Sequence, residues 1–373
     1  MSENKPVQLG LCCINTQLRF MKPPIFASRK MIIRSIEREG IEALKTKIIQ
    51  NLKDVLTMME WNETNGIKVF RLSSELFPHK SNPRVENYTF DFARELLTQI
   101  GKLAHKYNQR LTFHPGQYNV VGTPDRKSFM KTMDDLSYHA DVLDMCNLDG
   151  LSPVMVVHGG GVYGDKSATI RRWCRQYLEL PEKVRKYLVL ENCEKCFNIE
   201  DCLFISKIVN IPVVFDTHHY TCYRILHDKE IFKPASEYIC DILDTWKRRG
   251  LKPKFHVSEQ GGGRIGHHSD FVEDIPSYLL DIPKKYGIHI DIMIEAKMKE
   301  QSIQRLYNKY PFLNCKRVKH FRMKTTRDGI GVPGSGWVNK MCMDTCCKKK
   351  RLKMKCCKQY VNDCVCRKHV THL

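Results

Sequence analysis

Eight short, largely apolar runs recur along this chain, and most of them close on or beside a polar residue. They occupy residues 7–12, 68–73, 110–114, 154–158, 187–192, 212–216, 254–258 and 289–296. The runs are continuous rather than alternating, which is how strands covered on both faces read. Helical periodicity fills the gaps. Ile41, Leu44, Ile48, Leu52, Val55 and Met59 fall at steps of three and four, as do Phe129, Met133, Leu136, Ala140 and Leu143. Residues 203–209 and 239–246 repeat the pattern more briefly. Strand and helix alternating eight times predicts an α/β chain folded as a (β/α)8 TIM barrel. A doubly wound open sheet is the alternative. The count of eight, and the lack of a Gly-x-Gly-x-x-Gly turn after the first run, argue against its dinucleotide-binding form.

In such a barrel the C-terminal strand ends converge on one face, where the active site lies. His114, His158, Glu191, Asp216 and Glu295 each end a predicted strand. His256 lies within the seventh strand, and His268 lies in the loop after it, beyond the glycines at 261–263. Carboxylates gathered in a buried mouth are costly unless paired or bound to a cation. A mixture of imidazole and carboxylate suits Zn or Mn, and the lack of a thiolate set argues against a structural zinc site. A carboxylate such as Glu191 can bridge two ions, the arrangement of two-metal phosphodiester hydrolysis.

Charge points to the partner. The net charge is +20, and residues 311–373 hold sixteen Lys or Arg against three acidic residues, so +13 of it sits there. That favours a polyphosphate such as DNA. The expected organisation is a barrel over 1–310, with the boundary falling between about 302 and 315, and a basic, Cys-rich C-terminal extension over 311–373. Residues 329–336 (GIGVPGSG) read as a turn or linker. Cys342, Cys346, Cys347, Cys356, Cys357, Cys364 and Cys366, with His369 and His372, do not follow a standard finger spacing. Zinc binding and a reduced, DNA-attracting tail both stay open for them. Lys348, Lys349, Lys350 and Arg351 resemble a nuclear targeting patch. Cys193 and Cys196 form one C-x-x-C pair and read as ordinary small residues. There is no signal-peptide pattern and no apolar run near the roughly 20 residues that cross a bilayer. The expectation is an intracellular, soluble protein, nuclear or otherwise at DNA, and not secreted.

The blocks LTFHPGQYNVVGTPD (111–125), VMVVHGGGVYGDK (154–166), YLVLENCE (187–194), PVVFDTHH (212–219), PKFHVSEQ (253–260) and IMIEAKMKEQ (292–301) resemble, in order, the signature blocks of UV damage endonucleases. That family is related in fold to AP endonucleases of the endonuclease IV type and to xylose isomerases. The resemblance implies a metal-dependent DNA repair endonuclease that cuts 5′ of UV photoproducts. It implies two or three divalent ions, Mn or Zn, held by His114, His158, Glu191, Asp216, His219, His256, His268 and Glu295. Glu191, Lys254 and His256 would form the catalytic group, with Lys254 matching a lysine that can be modified in the family. Gln117 and Tyr118 match a pair that wedges into damaged duplex, and Asn15 a residue near the lesion pocket. Two positions depart from the pattern. Asn82 stands where a metal-binding His can occur, and His79 compensates only if the loop is rebuilt. Leu11 stands where an aromatic residue can occur near the lesion. Arg171 and Arg172 read as solvated surface, and Arg264 as a candidate phosphate contact. The competing readings are an AP endonuclease, a sugar isomerase or epimerase on the same barrel, and a catalytically silent DNA-binding protein.

Overall fold

The computed structural model describes residues 5–316, together with Thr325–Thr326 and Gly329–Ile330. Eight parallel strands close into a barrel in chain order. They are β1 (Val7–Cys12), β2 (Val69–Arg71), β3 (Arg110–Phe113), β4 (Val154–His158), β5 (Leu188–Glu191), β6 (Val213–Asp216), β7 (Lys254–Val257) and β8 (Ile290–Ile294). Each lies within two residues of its expected run. The helices are α1 (Thr16–Arg19), α2 (Ile33–Glu39), α3 (Ile41–Thr64), α4 (Arg94–Tyr107), α5 (Arg126–Cys146), α6 (Lys166–Glu179), α7 (Glu182–Tyr187), α8 (Ile199–Val209), α9 (Thr217–Leu226), α10 (Ile239–Lys247), α11 (Ser277–Leu280), α12 (Ile282–Tyr286) and α13 (Lys299–Lys309). This is the (β/α)8 barrel. No described helix is long and apolar enough to cross a membrane.

Local chemistry sets the helix ends. Asp125, Asp165 and Asp216 accept backbone N–H groups at the starts of α5, α6 and α9, and Asn198 with Asp201 forms a capping box on α8. Asn108, Asn147 and Asn210 close α4, α5 and α8 in the left-handed region, which asparagine tolerates. The expected faces of α3 and α5 pack inward, with Leu44, Ile48, Leu52, Phe129, Leu136 and Leu143 fully buried.

Because side chains alternate along a strand, the barrel interior is stratified. At the N-terminal end, Arg110 of β3 donates to Asp291 of β8 across the interior at 2.8 Å. Lys252 makes an ion contact of 2.5 Å with the other carboxylate oxygen. Above them Cys12, Val69 and Met293 form a small apolar plug, separate from the main core. The next inward residues are those of the barrel mouth. The same alternation turns Leu11 outward, into the fully buried layer between strands and helices. Leu11 therefore lies in the core and not in the barrel mouth.

Contacts divide the chain after Lys316. The barrel unit runs past the expected 310 because Leu313 and Cys315 are buried. In the second unit, β9 (Thr325–Thr326) pairs antiparallel with β10 (Gly329–Ile330), so the first two residues of the expected 329–336 linker are strand. The tail cysteines, His369, His372 and the 348–351 basic run lie outside the described residues.

Asp291→Ala strands the buried Arg110 guanidinium. It is expected to cost about 3–5 kcal/mol, read from urea unfolding with the slope unchanged. A loss under about 1 kcal/mol means the pair does not hold the barrel floor.

Candidate active site

Glu191, the last residue of β5, is completely buried and lies at the centre of the mouth. His256 Nδ1 stands 2.6 Å from one of its oxygens and His114 Nε2 stands 2.9 Å from the other. His158 Nε2 and His219 Nδ1 lie 3.6 and 3.8 Å away. Glu295 lies beyond His256, with His256 Nδ1 at 3.2 Å and His268 Nδ1 at 4.0 Å. Lys254 Nζ lies 2.6 Å from His256 Nε2. Residues from strands β3 to β8 thus meet in one cluster, with His219 and His268 reaching in from α9 and a loop.

Their orientation is held from behind. Asp216 spends Oδ1 on the backbone N–H groups of His218 and His219, both at 2.8 Å, which caps α9. Its Oδ2 is buried with no hydrogen-bond partner, as is Nδ1 of His158. Asn192 locks β5 to β6 by donating to the Asp216 carbonyl and accepting the Asp216 N–H, and its own carbonyl lies 3.0 Å from His219 Nδ1. That contact holds the His219 ring beside Glu191 and Asp216, the usual way a second contact orients an imidazole.

Three carboxylates share this dry space with two fixed cations, Lys254 and Arg71. Arg71 Nη1 donates to Glu295 at 2.5 Å. The electrostatics show the excess of negative charge. Burial raises the Asp216 carboxyl to about 7, against the opposing pull of His219. His219 is pushed up to about 9, because Asp216, Glu191 and Glu295 outweigh its burial. Burial lowers His158 and His256 to about 4, so both are neutral, as metal ligands must be. Burial also lowers Lys254 to about 8, with help from Arg71 and Arg110. Burial works to raise Glu191, but the contacts of His256, His158 and His114 hold it well below the ordinary carboxylate range. Such a cluster is satisfied by protons or by cations. Three overlapping triads, His114–Glu191–His256, Glu191–Asp216–His219 and Asp216–His256–Glu295, each offer ligand atoms within 4.8 Å of one another. The orphaned Asp216 oxygen and the neutral imidazoles fit a divalent ion, and the structure holds clusters able to bind one.

A cleft of about 580 Å³ opens above the cluster and is lined by residues including His114, His158, His219, His268 and Glu295. Gln117 also lines it, and Gln117 and Tyr118 stand exposed at the tip of the loop after β3. Other expected residues lie elsewhere. Asn15 is buried, and its side-chain oxygen caps α1 by accepting from Leu18 N–H. Asn82 donates toward His79 Nδ1 and accepts from Arg84 N–H, while His79 Nε2 lies 2.7 Å from the Met31 carbonyl. Neither His79 nor Asn82 lines the cleft, and His79 is in none of the metal-competent groups among the described residues, so the loop is not rebuilt around it. Arg172, read as surface, clamps the Gly122 carbonyl at 2.8 Å, and Arg264 is exposed beside His267. Arg71 was missed, although it ends β2 as the other site residues end their strands. Asn192, next to Glu191, carries no signal of its own in the sequence.

The family model described as UV-endonuclease UvdE matches residues 7–324. The chain belongs to the UV-endonuclease family. A relative from Acanthamoeba polyphaga mimivirus is 38% identical over 82% of this chain and 91% of its own length. The UV-damage endonuclease of Schizosaccharomyces pombe is 35% identical over 89% of this chain but 56% of its own, so this chain spans little more than half of that relative's length. The crystal structure of SacUVDE superposes with a TM-score of 0.71 at 26% identity, covering 83% of this chain and 100% of the other.

Metal-free protein is expected to gain about 2.7 kcal/mol at a divalent-ion concentration 100 times Kd, seen as a rise in melting temperature. Asp216→Ala should lose most of that gain. An unchanged melting temperature with both Mn²⁺ and Zn²⁺ rules out the cluster as a metal centre.

Proposed function

We propose that this chain nicks duplex DNA immediately 5′ of UV photoproducts, leaving a 3′-hydroxyl and a 5′-phosphate. Two or three divalent ions, Mn or Zn, serve as its cofactors. The observation that carries this reading is Glu191, a buried carboxylate ringed by four imidazoles beneath an exposed Gln117–Tyr118 tip. The ions would be held by the eight His, Asp and Glu side chains at and around the strand ends. When bound, they would polarise the scissile phosphate and neutralise charge on the attacking and leaving oxygens.

The chain's own groups prepare the site. Lys254 Nζ holds His256 from below through Nε2, and His256 Nδ1 in turn fixes Glu191. Glu191 thus cannot rotate away without breaking a buried chain of contacts. Asn192 and the α9 cap do the same for Asp216 and His219. Arg71 keeps Glu295 ionised, because its guanidinium outweighs the effect of burial. The closed barrel excludes water from the floor of the cleft, which strengthens every charge interaction above it.

Recognition falls to the tip. A damaged site is weakly stacked, so extruding its bases costs less than extruding ordinary ones. A planar amide and an aromatic ring fill the resulting gap. The chain's net charge of +20 supplies a sequence-independent attraction to the duplex. The enzyme works wherever cellular DNA lies, the nucleus included.

The test is cleavage of a labelled duplex carrying one cyclobutane dimer, beside undamaged and abasic duplexes, with Mn²⁺ and after chelation. A metal-dependent nick 5′ of the dimer is the expected result, and Glu191→Gln should lower it more than about 100-fold while leaving duplex binding intact. Cutting at the abasic site alone moves the assignment to an AP endonuclease. A failure of metal-loaded, folded protein to cut any duplex sinks the nuclease reading.

A further inference from the structure

Asp135, on α5, is a charged side chain that the active site does not use. It is 1% exposed, yet no Lys or Arg among the described residues pairs with it. His139 Nδ1 lies 3.6 Å from the carboxylate, but burial lowers that imidazole and keeps it neutral. An isolated buried carboxylate is expensive to keep. This one is held by three neutral donors from two different mouth loops. Ser81 Oγ donates at 2.6 Å from the loop after β2. Asn119 Nδ2 and the Tyr118 hydroxyl donate at 2.8 and 3.3 Å from the loop after β3.

The second of these loops carries the exposed tip. Asn119 N–H donates to the Gly116 carbonyl at 2.9 Å, so Gln117 and Tyr118 are the central residues of a tight turn. The Tyr118 ring folds back over that turn. A Cβ at position 116 would lie 2.4 Å from Tyr118 Cε1, so only glycine leaves room for it. The ring is therefore 69% exposed while its hydroxyl is tethered at Asp135. Helix α5 adds Thr132 Oγ1, which accepts from Val120 N–H at 3.2 Å. From the flank, Gly160 passes so close that a Cβ there would lie 2.5 Å from Val120.

We propose that Asp135 is a positioning residue for lesion discrimination: its carboxylate sets the Tyr118 ring and joins the loops after β2 and β3, without touching substrate. The inference rests on the reading of Gln117 and Tyr118 as the lesion wedge. A charge-assisted bond to a carboxylate is stronger than a neutral one, and it holds the ring in place before DNA arrives. An asparagine at 135 offers one acceptor oxygen to three donors. The turn then has to be ordered during recognition. That penalty falls on substrates whose bases must be pushed apart and spares substrates already open.

The experiment compares nicking of two duplexes carrying the same dimer. One is fully paired, and the other has two unpaired bases opposite the lesion. Asp135→Asn should lower kcat/KM on the paired duplex about 10-fold and on the open one by about twofold or less. Tyr118→Phe keeps the ring and removes the tethered hydroxyl, so it should act in the same direction. The double variant should lose less than the two single changes combined, because both loosen the same carboxylate's hold on one turn. Equal losses on both duplexes, or none on either, overturn the proposal. If Asp135→Asn fails to fold, Tyr118→Phe decides on the same two duplexes. Tyr118→Ala separates the two levels of argument. If it leaves the paired-to-open ratio unchanged, the wedge reading itself fails. If it collapses the ratio while Asp135→Asn and Tyr118→Phe do not, the wedge stands and the tether falls.

Discussion

Three carboxylates buried at one end of a closed barrel are the constraint around which the rest of this structure is arranged. Glu191 and Asp216 are fully buried and Glu295 nearly so, so screening is weak and their mutual repulsion has to be met locally. The structure meets part of it with Arg71 and Lys254, part with the α9 N-terminus, and leaves the remainder to whatever cations the cluster binds. Asp216 shows the division most clearly. One of its oxygens is committed to folding, as a helix cap, and the other is left without a partner. A residue optimised for stability alone would use both.

That arrangement is possible because the barrel beneath it is filled and rigid. The cross-barrel pair of Arg110 and Asp291, then the plug of Cys12, Val69 and Met293, leave the cluster a floor that neither water nor a side chain can easily move. Asn192 works in the same way on the rim, fixing β5 against β6 and aiming His219. The contacts that support the cluster come almost entirely from strands and helix starts, while the exposed tip of Gln117 and Tyr118 is carried by a loop.

The loops divide their work. The turn after β3 is tied to α5 through Asp135 and Thr132, and the loop after β2 meets the same helix through Ser81 on Asp135 and through its Ser74 carbonyl, which accepts from the Tyr138 hydroxyl. In the latter loop, His79 and Asn82 bond to each other and to the backbone, away from the cluster. The chain thus has Asn82 where the resemblance allows a histidine, while His114 and His158 remain in the cluster around Glu191. Its family and its barrel rest on the whole matched span, not on that loop.

The strands and their polar ends were legible in the sequence because both follow from local periodicity. A strand covered on both faces reads as an unbroken apolar run, and a barrel brings the ends of all such runs to one place. His114, His158, Glu191, Asp216, His256 and Glu295 could therefore be grouped without knowing a single distance. The helix faces of α3 and α5 were legible for the same reason. Only the tertiary structure decided what the remaining residues do. Leu11 is one step along its strand from Cys12, and that step turns it from the barrel interior into the outer core. Asn15 reads as a site residue; its side-chain oxygen caps α1 while its buried amide Nδ2 has no hydrogen-bond partner. Asp135 reads as one more helix carboxylate, and it matters only because two loops far apart in sequence fold onto it. Periodicity encodes which way a residue faces on a regular element. It carries nothing about which loops meet, because loop encounters depend on the closure of the whole barrel.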